Sequence, residues 1–238
     1  MKIKQIVKQF ENGNVSVFGL RGRGKDLLIG NVVARRKKEY ISNVDYGGKR
    51  HNLDFEKLDC GKNTYQNFIK GDIKYYEFPY KDGTDIYISD VGVYLPSQYC
   101  NELNRQFSHF PTFMALSRHL GNCNVHFNVQ NLNRAWDKLR EQSDLYIEAR
   151  GGIVLFGFVI QKIRTYEKYE SACNRTPPMM KFPCFPFSEM WKMQKLAEAH
   201  YISTHGIIKT HLLFYKNKAK YDTRMFKQLL KNGKGVDK

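Results

Sequence analysis

Residues 14–36 read NVSVFGLRGRGKDLLIGNVVARR, and this stretch decides the fold. It begins with a short apolar run of strand-forming residues, Val15 to Phe18, and then enters a loop that carries three glycines. The loop opens directly into apolar residues at helical spacing, among them Leu28 and Val32. An apolar run, a glycine-rich loop and a helical pattern in this order predict a strand, a loop and a helix.

The loop has the pattern GxxxxGK, with Gly19 as its first glycine and Lys25 as its lysine. Glycines let successive backbone N–H groups approach an anion, the helix N-terminus adds partial positive charge, and the lysine can reach the β- and γ-phosphates. The predicted ligand is a nucleoside triphosphate such as ATP, and the alternative is a basic surface turn without a ligand. The residues predicted to bind it are Gly19, Arg21, Gly22, Arg23, Gly24, Lys25, Asp26 and Leu27.

Asp26 stands where a serine or threonine normally follows the lysine of such a loop. The usual hydroxyl coordinates Mg²⁺, and a carboxylate can do the same, but it brings negative charge toward the triphosphate. We therefore expect a Mg²⁺ site that includes Asp26 and has an unusual affinity or metal geometry.

The overall charge of the chain is strongly positive. Its 39 Lys and Arg residues outnumber 23 Asp and Glu residues, which gives a formal net charge of +16. Such a charge is typical of proteins with a polyanionic partner, because Lys and Arg release counterions when they neutralise phosphates. The prediction is a nucleic acid partner, and the alternative is a basic soluble protein.

Aromatic residues make up 14% of the chain, so we expect it to fold.

The cysteines and the apolar segments exclude other classes of protein. The five cysteines are widely spaced and form no CxxC pair, so neither a zinc site nor a disulfide framework is expected, and reduced cytoplasmic thiols are the simplest interpretation. The N-terminal sequence MKIKQIVKQF lacks the apolar core of a signal peptide. No window approaches 18 uninterrupted apolar residues, so we expect no transmembrane segment.

Two further strands are predicted to end in polar side chains. Residues 84–89 form an apolar run that leads to Asp90, a position from which a carboxylate can hold Mg²⁺ at the carboxyl edge of a parallel sheet. The alternative role for Asp90 is a cap of the strand end. Residues 123–129 lead to Gln130, whose amide can touch the γ-phosphate or the attacking water, or can be an ordinary loop amide.

The alternation of strands and helices predicts the fold class. Strands and helices alternate over residues 14–150, so we expect an α/β fold with a mostly parallel sheet and helices on both faces. A terminal β-hairpin is predicted from a strand at residues 144–150, a turn at Gly151-Gly152 and a returning strand at residues 153–163.

The pattern changes beyond residue 165. We expect a P-loop core at residues 1–165 and an extension at residues 166–238, made of a proline-containing linker, a helix at residues 188–199 and a basic segment. Lys and Arg recur from Lys209 onward, with the aromatic residues Tyr215, Tyr221 and Phe226 among them. Basic residues with interleaved aromatics are typical of a track for a phosphate backbone with base stacking, and the alternative is a solvated tail.

The order of these motifs resembles the FtsK–HerA superfamily of P-loop motor ATPases. The resemblance is closest to its viral branch, which includes zonula-occludens-toxin-like assembly proteins of filamentous phages and genome-packaging ATPases of membrane-containing phages. It covers roughly residues 13–165. The stretches that carry it are GLRGRGKD (19–26), IYISDVGVYLPSQ (86–98), LSRHLG (116–121), NVQNLNRAWDKLRE (128–141) and DLYIEARGG (144–152).

The resemblance implies roles for individual residues. Lys25 and the loop glycines would bind the triphosphate, Asp90 would hold the metal, and Gln130 would sense the γ-phosphate. Arg118 and Arg140 would be candidates for an arginine finger that reaches a neighbouring subunit's site, with a surface salt bridge as the alternative for each.

The resemblance also implies partners and a place in the cell. The chain would be an ATPase that translocates DNA without sequence specificity, as a homo-oligomeric ring, with viral capsid or portal proteins as further partners. It would act in the host cytoplasm or in the virion. The missing membrane anchor favours packaging over membrane-anchored export.

Two departures from the family pattern keep alternatives open. Asp26 replaces Ser or Thr, and Val91 follows Asp90 where motor ATPases of this kind usually have a glutamate that acts as general base. Either another carboxylate, such as Glu102, polarises the water, or hydrolysis is slow or depends on a partner. A slow or inactive nucleotide-binding phage assembly protein is therefore the second hypothesis, and a P-loop kinase for a small metabolite is the third.

Overall fold

A computed structural model describes residues 2–58, 80–107, 110–173 and 208–219. The predicted helix at residues 188–199 and the basic residues from 220 onward lie outside these ranges. No helix among the described residues is both long enough and apolar enough to cross a membrane.

The strands of the described residues form one mixed sheet. They are β1 Val15–Phe18, β2 Tyr40–Ser42, β3 Arg50–Asn52, β4 Asp85–Ile88, β5 Val125–Val129, β6 Leu145–Leu155, β7 Phe158–Tyr166 and β8 Ile208–Lys216. Their order across the sheet is β3, β2, β4, β5, β1, β6, β7, β8. Pairing is parallel from β3 to β6 and antiparallel from β6 to β8. The predicted α/β class with a mostly parallel sheet is therefore confirmed.

Helices cover both faces of this sheet. They are α1 Ile3–Asn12, α2 Lys25–Arg36, α3 Phe55–Leu58, α4 Val91–Tyr94, α5 Cys100–Gln106, α6 Phe110–Leu120, α7 Asp137–Glu141 and α8 Tyr169–Cys173. On one face, α1 and α2 bury Phe10, Leu28 and Val32 against the sheet. On the other face, residues of α3 to α8 form a second apolar core that includes Met114 and Leu139. Each face is closed by apolar side chains, as two-layer packing requires.

The predicted hairpin exists, but its turn lies elsewhere. β6 continues through Gly151 and Gly152 to Leu155, and the chain reverses at Phe156-Gly157. Both turn residues have positive φ, +48° and +77°, as a tight two-residue hairpin requires. The predicted turn at Gly151-Gly152 is wrong because these glycines sit in the ladder, beside a register shift between Ala149 and Gly151. The returning strand is Phe158–Tyr166 rather than residues 153–163.

A third antiparallel strand comes from the region predicted to be the extension. β8 pairs with β7 from Tyr166↔Ile208 to Phe158↔Lys216. Tyr215 is buried, and the guanidinium of Arg35 lies over its ring at 5.2 Å from the centroid. The expectation that Tyr215 stacks on bases is therefore wrong, since its ring packs in the core. The division of the chain at residue 165 stays a prediction.

A buried ion pair joins the end of α2 to the start of β4. Arg36 contacts Asp85, and their side chains are only 5% and 4% exposed. Arg36 also donates a hydrogen bond to the carbonyl of Phe10 at 3.2 Å, and Asp85 accepts one from the backbone N–H of Asn124 at 3.0 Å. The pair thus holds α1, α2, β4 and the segment before β5 in one place.

Removing Asp85 should be costly. Asp85→Ala leaves the guanidinium of Arg36 buried without its counter-charge, so we expect the free energy of unfolding to fall by about 3–5 kcal/mol in urea denaturation. Lys49→Ala is the control, because it breaks an exposed pair with Glu39 at 3.2 Å and should cost less than about 1 kcal/mol. Similar losses in the two variants would contradict a structural role for the buried pair.

Candidate functional site

The phosphate loop joins the carboxyl end of β1 to the amino end of α2. Gly22 and Gly24 have φ of +76° and +85°, a region that side chains disfavour. Gly24 caps α2, and its carbonyl accepts the N–H of Leu28 at 3.0 Å. A Cβ atom at Gly22 would meet nothing within 4 Å, so the mouth of the loop is open. The loop therefore offers backbone groups and space at a helix N-terminus, as phosphate binding requires.

Gly19 is fixed by a close backbone approach. A Cβ atom at this position would lie 2.4 Å from the carbonyl oxygen of Ala149 on β6. Since that oxygen belongs to the backbone, it cannot move aside as a side chain could. Only glycine therefore lets the loop begin against β6.

Two residues from the antiparallel strands support the loop from behind. The amide of Gln161 on β7 donates to the carbonyl of Gly24 at 2.8 Å, and its oxygen accepts from the hydroxyl of Tyr215 at 2.8 Å. Gln161 is fully buried. Burial raises the pKa of Tyr215, so its hydroxyl stays protonated and keeps donating. The loop is thus anchored to β7 and β8 as well as to β1 and α2.

Lys25 lies across the loop. Its ammonium donates to the carbonyl of Gly19 at 3.0 Å and reaches that of Leu20 at 3.5 Å. Burial lowers the pKa of Lys25, and the charges of Asp26 and Asp90 oppose this shift. Phosphate oxygens would be stronger acceptors than these carbonyls because the hydrogen bonds would be charge-assisted. The structure thus puts the predicted lysine where it can meet a triphosphate.

The carboxylate of Asp26 is held by donors from three other segments. Its Oδ1 accepts from the amide of Asn128 at 2.9 Å, from the hydroxyl of Ser89 at 3.1 Å and from the hydroxyl of Tyr46 at 3.3 Å. The other oxygen, Oδ2, takes no hydrogen bond from the described residues. The network therefore orients Asp26 and leaves one oxygen for another ligand.

Asp90 is the second carboxylate of the site. It follows β4 directly, in a left-handed conformation with φ of +48°, and its backbone N–H donates to the Asn128 oxygen at 2.9 Å. The pKa of Asp90 is raised, first by partial burial and then by the charge of Asp26, against the effects of Lys25 and Arg21. A carboxylate whose charge is disfavoured by a neighbouring carboxylate fits a hard cation such as Mg²⁺, which prefers oxygen ligands.

The other predicted loop residues have distinct positions. Arg21 is exposed, and its charge acts on Asp90. Arg23 donates to the carbonyl of Arg150 at 3.3 Å. Leu27 is partly buried against the apolar core beneath α2. Of these three residues, Arg21 thus acts electrostatically on a carboxylate of the site. Arg23 contacts the backbone of the strand beside the loop, and Leu27 packs on the core beneath it.

Three predicted catalytic residues make no contact with this chain's own loop among the described residues. Gln130 is exposed just after β5. Arg118 contacts the Asn12 carbonyl and lies 3.3 Å from Asp144 Oδ2, beside the segments that lead into β1 and β6 at the opposite edge of the sheet. The guanidinium of Arg140 lies 5.0 Å from the ring centroid of Tyr169. Their catalytic roles stay predictions.

Val91 has a core position in this chain. Its side chain is fully buried and belongs to the apolar core on the α6 side of the sheet. A glutamate here would lose its hydration, so the departure at this position agrees with local packing. Glu102 lies exposed on α5. Val91 is no general base, and no contact between Glu102 and the loop is seen among the described residues.

Sequence reasoning missed the residues that organise the site. Ser89 and Asn128 lie at the polar ends of apolar runs and Gln161 interrupts one, and these positions are the signal that could have identified them. Tyr46 gave no such signal, because it sits in a loop between β2 and β3. Its contact with Asp26 depends on tertiary folding alone.

Comparisons with known proteins found matches among solved structures. No protein-family model and no curated protein matches the chain. Among solved structures, the N-terminal domain of zonular occludens toxin from Neisseria meningitidis matches with a TM-score of 0.45 and 10% identity, over 90% of this chain and 97% of that one. EssC (ATPases 2 and 3) from Geobacillus thermodenitrificans matches with a TM-score of 0.43 and 12% identity, over 96% of this chain and 46% of that one.

A viral protein also matches. It is the genome-packaging NTPase of Sulfolobus turreted icosahedral virus 2 in complex with ATP-gammaS, with a TM-score of 0.36 and 14% identity, over 58% of this chain and 75% of that one. These three matches all have low identity to this chain, between 10% and 14%. Their TM-scores all lie below 0.5, so the matches assign no function to this chain.

Asn128 can be tested directly. Asn128→Asp removes the donor to Asp26 and sets a third carboxylate beside two others, so we expect the free energy of unfolding to fall by about 1–3 kcal/mol in urea denaturation. Asn131→Asp is the matched control, because Asn131 only accepts a hydrogen bond from the N–H of Asn133 and a carboxylate can do the same. An equal loss in both variants would argue against the Asn128 network.

Proposed function

We propose that this chain is an ATP-driven DNA translocase, a viral genome-packaging ATPase that works as an oligomeric ring. One observation carries the proposal: Lys25, Asp26 and Asp90 meet at one edge of a parallel sheet, at the mouth of a glycine-rich loop. A phosphate-binding lysine beside two carboxylates is the equipment for binding a nucleotide with its metal. The order of motifs and the net charge of +16 support the step from nucleotide to DNA.

The residues of the loop would divide the work of binding. Backbone N–H groups and the start of α2 would receive the phosphate oxygens, and Lys25 would turn from the Gly19 carbonyl to the β- and γ-phosphates. Asp26 and Asp90 would hold Mg²⁺, which neutralises charge on the phosphates when bound. Asn128 would hold the carboxylate of Asp26 and the backbone of Asp90 in place through its single amide.

Hydrolysis needs further groups in addition to the residues that bind the nucleotide and its metal. Gln130 is the proposed sensor of the γ-phosphate, since it follows the strand that lies between β1 and β4. Arg118 and Arg140 are the proposed fingers, each reaching a neighbouring subunit's nucleotide. Arg118 would have to leave Asp144, an exposed pair whose loss costs little. A ring thus gives these arginines a role that a single subunit does not.

The proposal also covers the binding partners of the protein and where it acts. DNA would be bound without sequence specificity through its phosphates, and viral capsid or portal proteins would dock the ring. The protein would act in the host cytoplasm or in the virion.

A second candidate is a nucleotide-binding phage assembly protein that hydrolyses slowly or not at all. Two observations favour it: Val91 is buried where a general base would stand, and one oxygen of Asp26 already accepts three hydrogen bonds. A small-metabolite kinase is less well supported because it leaves the net charge unexplained.

Gel filtration with nucleotide separates the motor from the kinase. A ring-sized species supports the motor, and a stable monomer supports the kinase.

Steady-state ATP hydrolysis with and without DNA tests the motor. We expect DNA to stimulate the wild-type protein and Asp90→Ala to lower turnover by about 10²-fold or more, because the metal loses a ligand. Glu141→Ala removes an exposed carboxylate on α7 and should keep wild-type turnover. ATP binding without turnover, with or without DNA, would overturn the motor and favour the second candidate.

Nucleotide binding is the premise that all these candidates share. Lys25→Ala should abolish it, as measured by isothermal titration with ATP and Mg²⁺, because the ammonium is the only cation placed over the loop carbonyls among the described residues. Lys4→Ala on α1 is the control and should bind normally. Normal binding by Lys25→Ala would remove the premise.

A further inference from the structure

A wide cavity lies at the end of α2 that is remote from the phosphate loop. Its volume is about 790 Å³, and its wall includes the last residues of α2 and the loops before β3 and β4. The wall begins on α2 at Val33, eight residues after Lys25, so about 12 Å of helix separates it from the loop at 1.5 Å per residue. The cavity therefore opens away from the phosphate loop, although Tyr46 connects its wall to Asp26.

Lysines from four separate segments line this cavity. They are Lys37, Lys38, Lys49, Lys81 and Lys218. We call this cavity the lysine pocket. All five residues are exposed, so their ammonium groups can meet a ligand. Lysines that converge from distant parts of a chain repel one another, and an anion relieves that repulsion.

The acidic residues of the wall do not cancel this charge. Glu39 lies 3.2 Å from Lys49 and also contacts His51 at 3.1 Å, so it is already shared between two bases. Asp82 is the other carboxylate of the wall. Lys38 also acts on Asp85, which in turn contacts Arg36. An excess of positive charge remains in the pocket.

The shape of the pocket suits a chain of phosphates better than a single one. The lysines come from four segments of the wall of a space of about 790 Å³, and Gly47, Gly48 and Gly83 leave parts of the wall without side chains. A Cβ atom at Gly48 or Gly83 would have its nearest neighbour at about 4 Å, so backbone there is open to approach. A single phosphate would contact only a fraction of these groups.

We propose that the lysine pocket binds the phosphate backbone of a nucleic acid strand. The inference rests on the proposed DNA translocation and names the surface that takes the strand. The lysines bind phosphates without reading bases, which gives affinity that falls steeply with salt and has no sequence preference. The site combines the core of the fold with Lys218, which lies beyond β8 in the predicted basic extension.

One residue belongs to both sites. Tyr46 lines the lysine pocket, and its hydroxyl donates to Asp26 at 3.3 Å. Its backbone N–H is held by the hydroxyl of Tyr40 at 2.8 Å. A strand in the pocket thus has a direct physical connection to the carboxylate beside the nucleotide.

The test is fluorescence anisotropy of a labelled 20-base-pair DNA over a salt series. The variant K38Q/K81Q/K218Q removes three pocket charges, and K4Q/K8Q/K162Q removes three exposed charges elsewhere. We expect the pocket variant to bind at least about 10-fold more weakly at 0.1 M salt, with a salt slope smaller by about 2–3, because each lost phosphate contact removes about 0.9 from it. The control should stay within about 2-fold of wild type.

A second measurement uses the unaltered protein. Amine-reactive labelling read by mass spectrometry should show Lys38, Lys81 and Lys218 protected by DNA, and Lys4 and Lys8 not protected. Equal protection by free tripolyphosphate at the same phosphate concentration would overturn the assignment to a strand. Because this measurement needs no variant, it tests the proposal even if the triple variant fails to fold.

The outcomes separate this inference from the function on which it rests. If both triple variants lose affinity equally, the pocket is not the site, while DNA binding by the protein stands. If the wild-type protein binds no DNA, the inference and the translocase fail together. ATP binding measured without DNA should be unchanged in the pocket variant, and its loss would overturn the claim of a separate site.

Discussion

The whole site depends on one side-chain amide. Asn128 donates to Asp26 on α2 and to Ser89 at the end of β4, and accepts from the N–H of Asp90. Its amide offers a donor and an acceptor at fixed positions on one planar group. Because β5 stands between β1 and β4, this residue is where the phosphate loop and the second carboxylate can be joined. The order of the parallel strands therefore determines which residues meet at the site as well as how the sheet is built.

The sequence predicted the parts of the site that lie close together along the chain. The loop, its lysine and the helix that follows are local features with strong steric requirements, so Gly19, Gly24 and Lys25 could be identified without a structure. The strand that leads to Asp90 was also predictable, because apolar runs and their polar exits are local. The hairpin turn was not, since a non-glycine residue, Phe156, takes the positive φ while Gly151 stays in the ladder.

The supports of the site were hidden because they depend on pairing between distant segments. Gln161 and Tyr215 meet only when β7 and β8 align, and the two residues are 54 positions apart. The sequence around Tyr215 is basic and aromatic, which favoured a nucleic acid track, whereas the register of β8 turns this ring into the core. The composition of a segment indicates which ligands its side chains could bind, but the register of the strand determines which side chains face the core and which face solvent.

The far end of the antiparallel strands has a consequence for the behaviour of the protein in solution. Phe158 and Phe214 stack at 5.2 Å on one face, and their exposed fractions are 41% and 67%. Lys162 and Lys216 share this face by the register of β7 and β8. Charged residues next to exposed apolar strands act as gatekeepers against aggregation, and a net charge of +16 keeps molecules apart. Salt screens this repulsion, so colloidal stability should be greatest in dilute buffer.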